Sequence, residues 1–352
     1  MSGGIAQLVA IGAQDAHLVG QPEVSFFRSN YKRHTNFAQT VERQTIQGNP
    51  VANGMSTIRF ERKGDMLGYV YISPRAGTST ASGAWWKSIK KVELLIGGQV
   101  IDTQDAAFSQ YVAPWTLSQG STKAGGLIDS AETPSRGFYP LRFSFCENAQ
   151  SAIPLVALQY HDVELRITWG ETLVAANPEV YAQFIHLDTD ERTVLSSTPQ
   201  NMLITQTTSI VASNSKVQEL PLNHPVKFIA GTQVNSSTGK IATLNCVSSG
   251  SIKLQINGTD VSDFKVAKPH FTQAPVYFHC PNSNVDNDAD NKFLQPFCID
   301  TAKIQPTGTL NFSRLDSARF IQDTNTFTGN MYAVGYNILR IENGMGGLMY
   351  SN

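Results

Sequence analysis

Lys91-Val92-Glu93-Leu94-Leu95-Ile96-Gly97-Gly98-Gln99-Val100-Ile101-Asp102 has a later counterpart in Ile252-Lys253-Leu254-Gln255-Ile256-Asn257-Gly258-Thr259-Asp260-Val261. In the later copy Ile252, Leu254 and Ile256 alternate with Lys253 and Gln255, the period of a strand with one face in a core and the other in water. Each copy then meets a pair, Gly97-Gly98 or Asn257-Gly258, that tolerates the positive φ angles of a two-residue type I′ hairpin. The residues after each pair run back as the return strand. The chain therefore reads as two halves built on one plan.

Further strands are expected on both sides of that stretch. In the first half they fall at 57–62, 68–73, 90–96, 99–102, 141–146, 161–169 and 183–187. In the second they fall at 202–209, 217–222, 226–234, 241–247, 252–256, 276–280, 293–299, 309–312 and 332–341. All are short, rich in β-branched and aromatic residues, and separated by turn residues, the cadence of a sandwich. Two more echoes keep the same order: 141–148 against 293–300, and Val163-Glu164-Leu165-Arg166-Ile167 against Asn337-Ile338-Leu339-Arg340-Ile341. The Gly/Ser/Thr/Ala-rich loop 76–84 and the long polar loop 118–136 are of the kind found at functional rims. The segment 196–201, polar and broken by Pro199, reads as the linker. The expected division is an arm at 1–40, a first sandwich at 41–197 and a second at 198–352, in an all-β chain.

Within the arm, Gly20-Gln21-Pro22-Glu23 reads as a helix start. Val24, Phe27 and Tyr31 would share one face of the helix that follows, with Arg28, Lys32 and Arg33 on another. This basic stripe is a candidate contact for a neighbouring subunit, an acidic protein or a membrane surface.

Composition narrows the function. The chain has 352 residues, more than one core usually organises. Lys and Arg number 27 against 28 Asp and Glu, a net charge of -1, so no overall field draws the chain onto nucleic acid. Charged residues make up only 16%, which leaves neutral surface for permanent contacts. Cys146, Cys246, Cys280 and Cys298 have no metal or disulfide spacing and read as buried thiols. Met1-Ser2-Gly3-Gly4 has neither the basic flank of a secretory signal nor the glycine of a myristoylation site, and no apolar run is long enough to span a bilayer. A place on the reducing side of membranes is expected. The sequons at Asn235, Asn257 and Asn311 then read as coincidences.

No strong catalytic motif is present. His186-Leu187-Asp188 with His270 or His279 is the sharpest candidate, as part of an iron facial triad, but a surface histidine beside an acid is the ordinary reading. Residues 286–291 open like a calcium loop, then place Asn291 where glycine belongs and Phe297 where a bidentate glutamate belongs. Gly344-Met345-Gly346-Gly347 has no following helix to hold a phosphate. A carbohydrate-binding double sandwich, with Trp85, Trp86 or Trp115 as stacking platforms, is the alternative from another functional class. No cofactor or metal is expected.

The opening Gly3-Gly4-Ile5-Ala6-Gln7-Leu8-Val9-Ala10-Ile11-Gly12-Ala13-Gln14-Asp15, with Phe26-Phe27-Arg28 and Tyr31-Lys32-Arg33-His34-Thr35-Asn36-Phe37, resembles the start of major capsid proteins of nucleocytoplasmic large DNA viruses, above all those infecting algae. The resemblance recurs at Leu222-Asn223-His224-Pro225-Val226-Lys227, at 305–316 and at 336–348, in the family's order. It implies two tandem eight-stranded jelly rolls preceded by a short arm, and a shell protein rather than an enzyme. It also implies homotrimers that mimic hexagons, contacts with neighbouring capsomers, and a place in an icosahedral virion after assembly in the host cytoplasm. Arg28, Lys32 and Arg33 would then face minor capsid proteins or the internal membrane. The chain is shorter than many members in the outer loops, so no receptor or sugar role carries over to them.

Overall fold

The computed structural model describes residues 3–74, 85–120, 138–173, 178–234, 241–281 and 292–350. Loop 76–84, most of loop 118–136, the calcium-like stretch 286–291 and the Asn235 sequon lie outside these residues. Residues 1–36 form one unit and Phe37–Asn352 another.

In the larger unit the first half carries β1 (Phe37–Gln44), β2 (Ile46–Gln47), β3 (Met55–Arg59), β4 (Met66–Pro74), β5 (Ile89–Ile96), β6 (Gln99–Asp105), β7 (Tyr139–Pro140), β8 (Ile153–Pro154), β9 (Val163–Trp169) and β10 (Pro178–Leu187). One sheet runs β1-β10-β4-β7 with β8 also on β4, and the other runs β2-β3-β9-β5-β6. The second half carries β11 (Gln200–Val211), β12 (Val217–Glu219), β13 (Pro225–Val234), β14 (Ile241–Ala242), β15 (Ser251–Ile256), β16 (Thr259–Asp260), β17 (Lys265–Val266), β18 (Phe293–Pro296), β19 (Leu310–Asn311), β20 (Ala318–Gln322), β21 (Asn330–Glu342) and β22 (Met345–Leu348). Here one sheet runs β11-β21-β13 with β18 on β13, and the other runs β12-β20-β15-β16.

Taking β3, β9, β5 and β6 as the partners of β12, β20, β15 and β16, and β1, β10 and β4 as those of β11, β21 and β13, the two orders are the same. Each is a jelly roll. The two hairpins that open the sequence argument are equivalent elements. Ile96 pairs with Gln99, and Ile256 with Thr259. All four turn residues have positive φ: Gly97 58°, Gly98 81°, Asn257 49° and Gly258 78°.

Several expectations need correction. The third echo joins non-equivalent strands: β9 corresponds to β20, and β21 to β10. Residues 141–146 are not a strand, because the chain leaves β4 after Leu141 and turns into the short helix Ser144–Glu147. Residues 276–280 lie mostly in the helix Gln273–His279, whose Pro275 and Val276 face the interior. β1 begins at Phe37, inside the expected arm. Its mostly polar, exposed residues hide it from pattern reading, yet it pairs with β10 from Phe37↔Leu187 to Gln44↔Val180. In the smaller unit the expected helix after Pro22 is absent. Gln21 is left-handed at φ 52°, and the helices are Gly3–Val9 and Ala16–Val19. A segment of about a dozen residues without a packed apolar face does not sustain a helix alone, and Phe26, Phe27 and Tyr31 are all exposed.

Among the described residues of the larger unit there are three apolar cores. The first lies between the sheets of the first roll around Ile58, Val70, Leu94, Leu165, Ile167 and Phe184, and the second in the second roll around Ile229, Leu254, Phe293, Phe320 and Phe327. The first core also takes in Ile204, Leu339 and Ile341 from β11 and β21, so these long strands serve both rolls. The glycine-rich tail is explained by close packing: a Cβ on Gly346 would lie 2.7 Å from Leu158 Cδ2 and 3.2 Å from Ile96 Cγ2. Gly346→Val is therefore expected to lower stability by about 1–3 kcal/mol through overpacking, measured by denaturant unfolding against the parent chain; an unchanged midpoint would contradict this packing.

Candidate assembly surfaces and the junction between the rolls

β13 and β21 read in sequence as nearly continuous apolar runs, Val226-Lys227-Phe228-Ile229-Ala230 and Met331-Tyr332-Ala333-Val334, the mark of strands buried on both faces. The register bears this out, with Phe228↔Val334, Ile229↔Ala333 and Ala230↔Tyr332 opposed. Ile229, Ala333 and Met331 point into the second roll's core. Phe228, Ala230, Tyr332 and Val334 point the other way, into a third core with Phe108, Val112, Ala113, Trp115 and Leu117. These last residues follow β6 of the first roll, so the first roll's own connection is clamped onto the second roll's sheet.

Buried polar pairs fix the clamp's position. Asp105 Oδ1 accepts from Phe108 N at 2.7 Å and Asp105 Oδ2 from Tyr332 Oη at 2.8 Å. Asp102 Oδ1 accepts from Thr103 N at 2.9 Å and, across the junction, from Thr207 N at 2.8 Å. Gln104 Nε2 donates to Asp102 Oδ2 at 3.0 Å and to Arg142 O at 2.9 Å. Arg142 pairs with Glu147 at 3.0 Å, both largely buried. Burial pushes the Asp102 carboxyl up to about 7, outweighing the Thr207, Gln104 and Thr103 donors that favour its charge. Sequence reading missed Asp102 and Asp105; two acids flanking Thr103 and Gln104 in a return strand gave no sign of leaving water.

The predicted site residues are distributed as follows. Arg28, Lys32 and Arg33 are exposed in the irregular part of the small unit, together with Phe26, Phe27 and Tyr31. They sit on no helical stripe, which corrects the amphipathic reading. Trp85 and Trp115 are buried, and Trp115 Nε1 donates to Tyr111 O at 2.6 Å, so neither is a stacking platform. The carbohydrate-binding alternative is not supported. His186 Nε2 lies 3.5 Å from Thr40 Oγ1, Asp188 caps the helix Thr189–Ser197, and His279 Nδ1 donates to Cys298 O at 2.9 Å. No group of three or more His, Cys, Asp or Glu is placed to hold a metal ion among the described residues. Asn257 Oδ1 accepts from Asp316 N and Ser317 N, tying its hairpin to the segment before β20, and Asn311 Oδ1 accepts from Ser313 N in a local turn, so both sequon side chains have structural roles. All four cysteines are buried thiols, and burial pushes Cys246 up to about 12 and Cys280 up to about 11. No helix among the described residues is long and apolar enough to cross a membrane.

Two jelly rolls in tandem, locked through a shared core, define a class of building block used in virus shells. Residues 25–202 match the family described as major capsid protein N-terminus, and residues 191–347 the family described as large eukaryotic DNA virus major capsid protein. The chain is 33% identical over 399 residues to the major capsid protein of Pyramimonas orientalis virus, and 30% identical over 445 residues to that of Paramecium bursaria Chlorella virus 1, with all of each chain covered. It superposes on a chain of the PBCV-1 virus capsid with a TM-score of 0.76 at 25% identity, covering 93% of this chain and 100% of that one. The chain belongs to the large eukaryotic DNA virus major capsid protein family. As a capsid protein it is a structural component of the virion.

The junction chemistry gives a pH signature. Because the folded-state pKa of Asp102 lies above its unfolded value, its contribution to stability is complete below about 4 and is lost as pH rises through about 7. Asp102→Asn removes that loss. The variant is expected to gain about 3 kcal/mol relative to the parent chain between pH 5 and pH 8, read as the difference in unfolding free energies; parallel profiles would refute it.

Proposed function

We propose that this chain builds the shell of an icosahedral large DNA virus as a homotrimer whose six rolls mimic a hexagon, with the first roll at 37–197, taking in all of β1, and the second at 198–352. The observation that carries this reading is the shared strand order of the two halves. Two similar rolls per chain, repeated three times around an axis, present six similar edges to neighbouring capsomers, and closed symmetry of this kind is the usual route to stable assemblies. The clamp between the rolls supports it, since a tile must hold its internal angle when its neighbours press on it. The role is mechanical rather than enzymatic, and the family resemblance extends it to assembly in the host cytoplasm.

The arm supplies the inner contacts in this reading. Phe26, Phe27 and Tyr31 offer exposed apolar surface beside Arg28, Lys32 and Arg33, a combination suited to an acidic minor capsid protein or to the anionic surface of an internal membrane.

Light scattering at micromolar concentration is expected to give three times the 38.4 kDa chain mass; a strictly monomeric mass would overturn the trimer. Removal of residues 1–36 is expected to leave that mass and the thermal transition unchanged while abolishing closed particles in an assembly assay. Normal particles from the truncated chain would remove the arm from assembly.

A further inference from the structure

Between the rolls lies a cavity of about 40 Å³. The first roll contributes Ser144, Glu147 and Asn148, and the second Thr205, Lys227, Lys303 and Tyr336. Lys227 is only 2% exposed, an unusual position for a lysine in a strand buried on both faces. Its ammonium has three protons to place. One goes to Lys303 O at 2.8 Å, and the Tyr336 ring centroid lies 5.7 Å away. Lys227 has no ion-pair partner among the described residues. The Tyr336 hydroxyl is likewise buried without a hydrogen-bond partner. The carboxylate at the cavity, Glu147, is already neutralised by Arg142 at 3.0 Å.

A buried ammonium and a buried phenol on two residues that line one small, largely apolar cavity call for an acceptor. We propose that this cavity is a binding site for a single monatomic anion, of the chloride class, held by Lys227 Nζ and Tyr336 Oη of the second roll where that roll meets the first. The volume suits this: it holds about two to four water-sized bodies and leaves no room for a sugar or a nucleotide phosphate. The surrounding charges favour an anion over a cation. Lys227 comes from β13 and Tyr336 from β21. Lys303, Asp300 and Cys298 come from the segment after β18, where Asp300 lies 3.7 Å from the Lys303 ammonium, and the buried Arg142–Glu147 pair closes the other side. Burial brings Lys227 down to about 8, against the opposing pull of Cys298 and Asp300, so the site is cationic at neutral pH and loses its charge above it.

The test is thermal unfolding of the full chain in chloride against gluconate at constant ionic strength, with bromide anomalous scattering from crystals of the same chain. The expected result is a rise of about 2 °C at ten times the dissociation constant, growing with the logarithm of chloride concentration beyond it and fading as pH passes about 8. Lys227→Met should abolish it and Tyr336→Phe reduce it, with a bromide peak between Lys227 and Tyr336. Equal transitions in chloride and gluconate, a rise that persists in Lys227→Met, or no bromide peak in the cavity would overturn the assignment. The bromide map and Tyr336→Phe keep the test decisive if Lys227→Met fails to fold.

Discussion

The structure depends on a pair of strands, β13 and β21, that cannot face water on either side. Phe228, Ala230, Tyr332 and Val334 form an apolar surface outside the second roll, and leaving it wet would forfeit burial of about 1.5–3 kcal/mol for each large side chain. The first roll covers it with the segment from Phe108 to Leu117. This one requirement couples two otherwise separate barrels. It also explains the length of β21, which begins in the second roll's core and ends with Leu339 and Ile341 in the first.

The polar contacts at the junction add direction rather than bulk stability. Asp102 reaches the backbone of Thr207 and Asp105 the hydroxyl of Tyr332, each at a single geometry. A shift of the rolls by one residue would strand a buried carboxylate without its donors, which is far costlier than an imperfect apolar contact. The tail completes the fit from the other side. Tyr160 N donates to Gly344 O, His161 Nδ1 pairs with Gly346 O, and the glycines admit an approach that any side chain would block. A rigid pair of barrels with mostly neutral surface is a sound tile, and none of this requires a reaction.

The hairpins at Gly97-Gly98 and Asn257-Gly258 were legible because turn chemistry and alternation are local signals. So was the duplicated architecture they imply. The third echo misled because β9 and β21 share a residue pattern while occupying different sheets, and short apolar strands carry no label for their sheet. β1 and β20 escaped notice because Thr40, Glu42 and Arg319 give edge or short strands a polar text, and only pairing with β10 or β15 reveals them. The arm's helix was over-read: its periodicity is real, but its apolar face is exposed. Lys227 was visible as a lysine inside an apolar run, whereas Asp102 gave no warning, because its burial is made by β11 some hundred residues further along.

If the shared core governs, the rolls have no independent stability. Differential scanning calorimetry of the full chain then gives one endotherm in which both rolls unfold together. Two separated endotherms, one for each roll, would contradict the account.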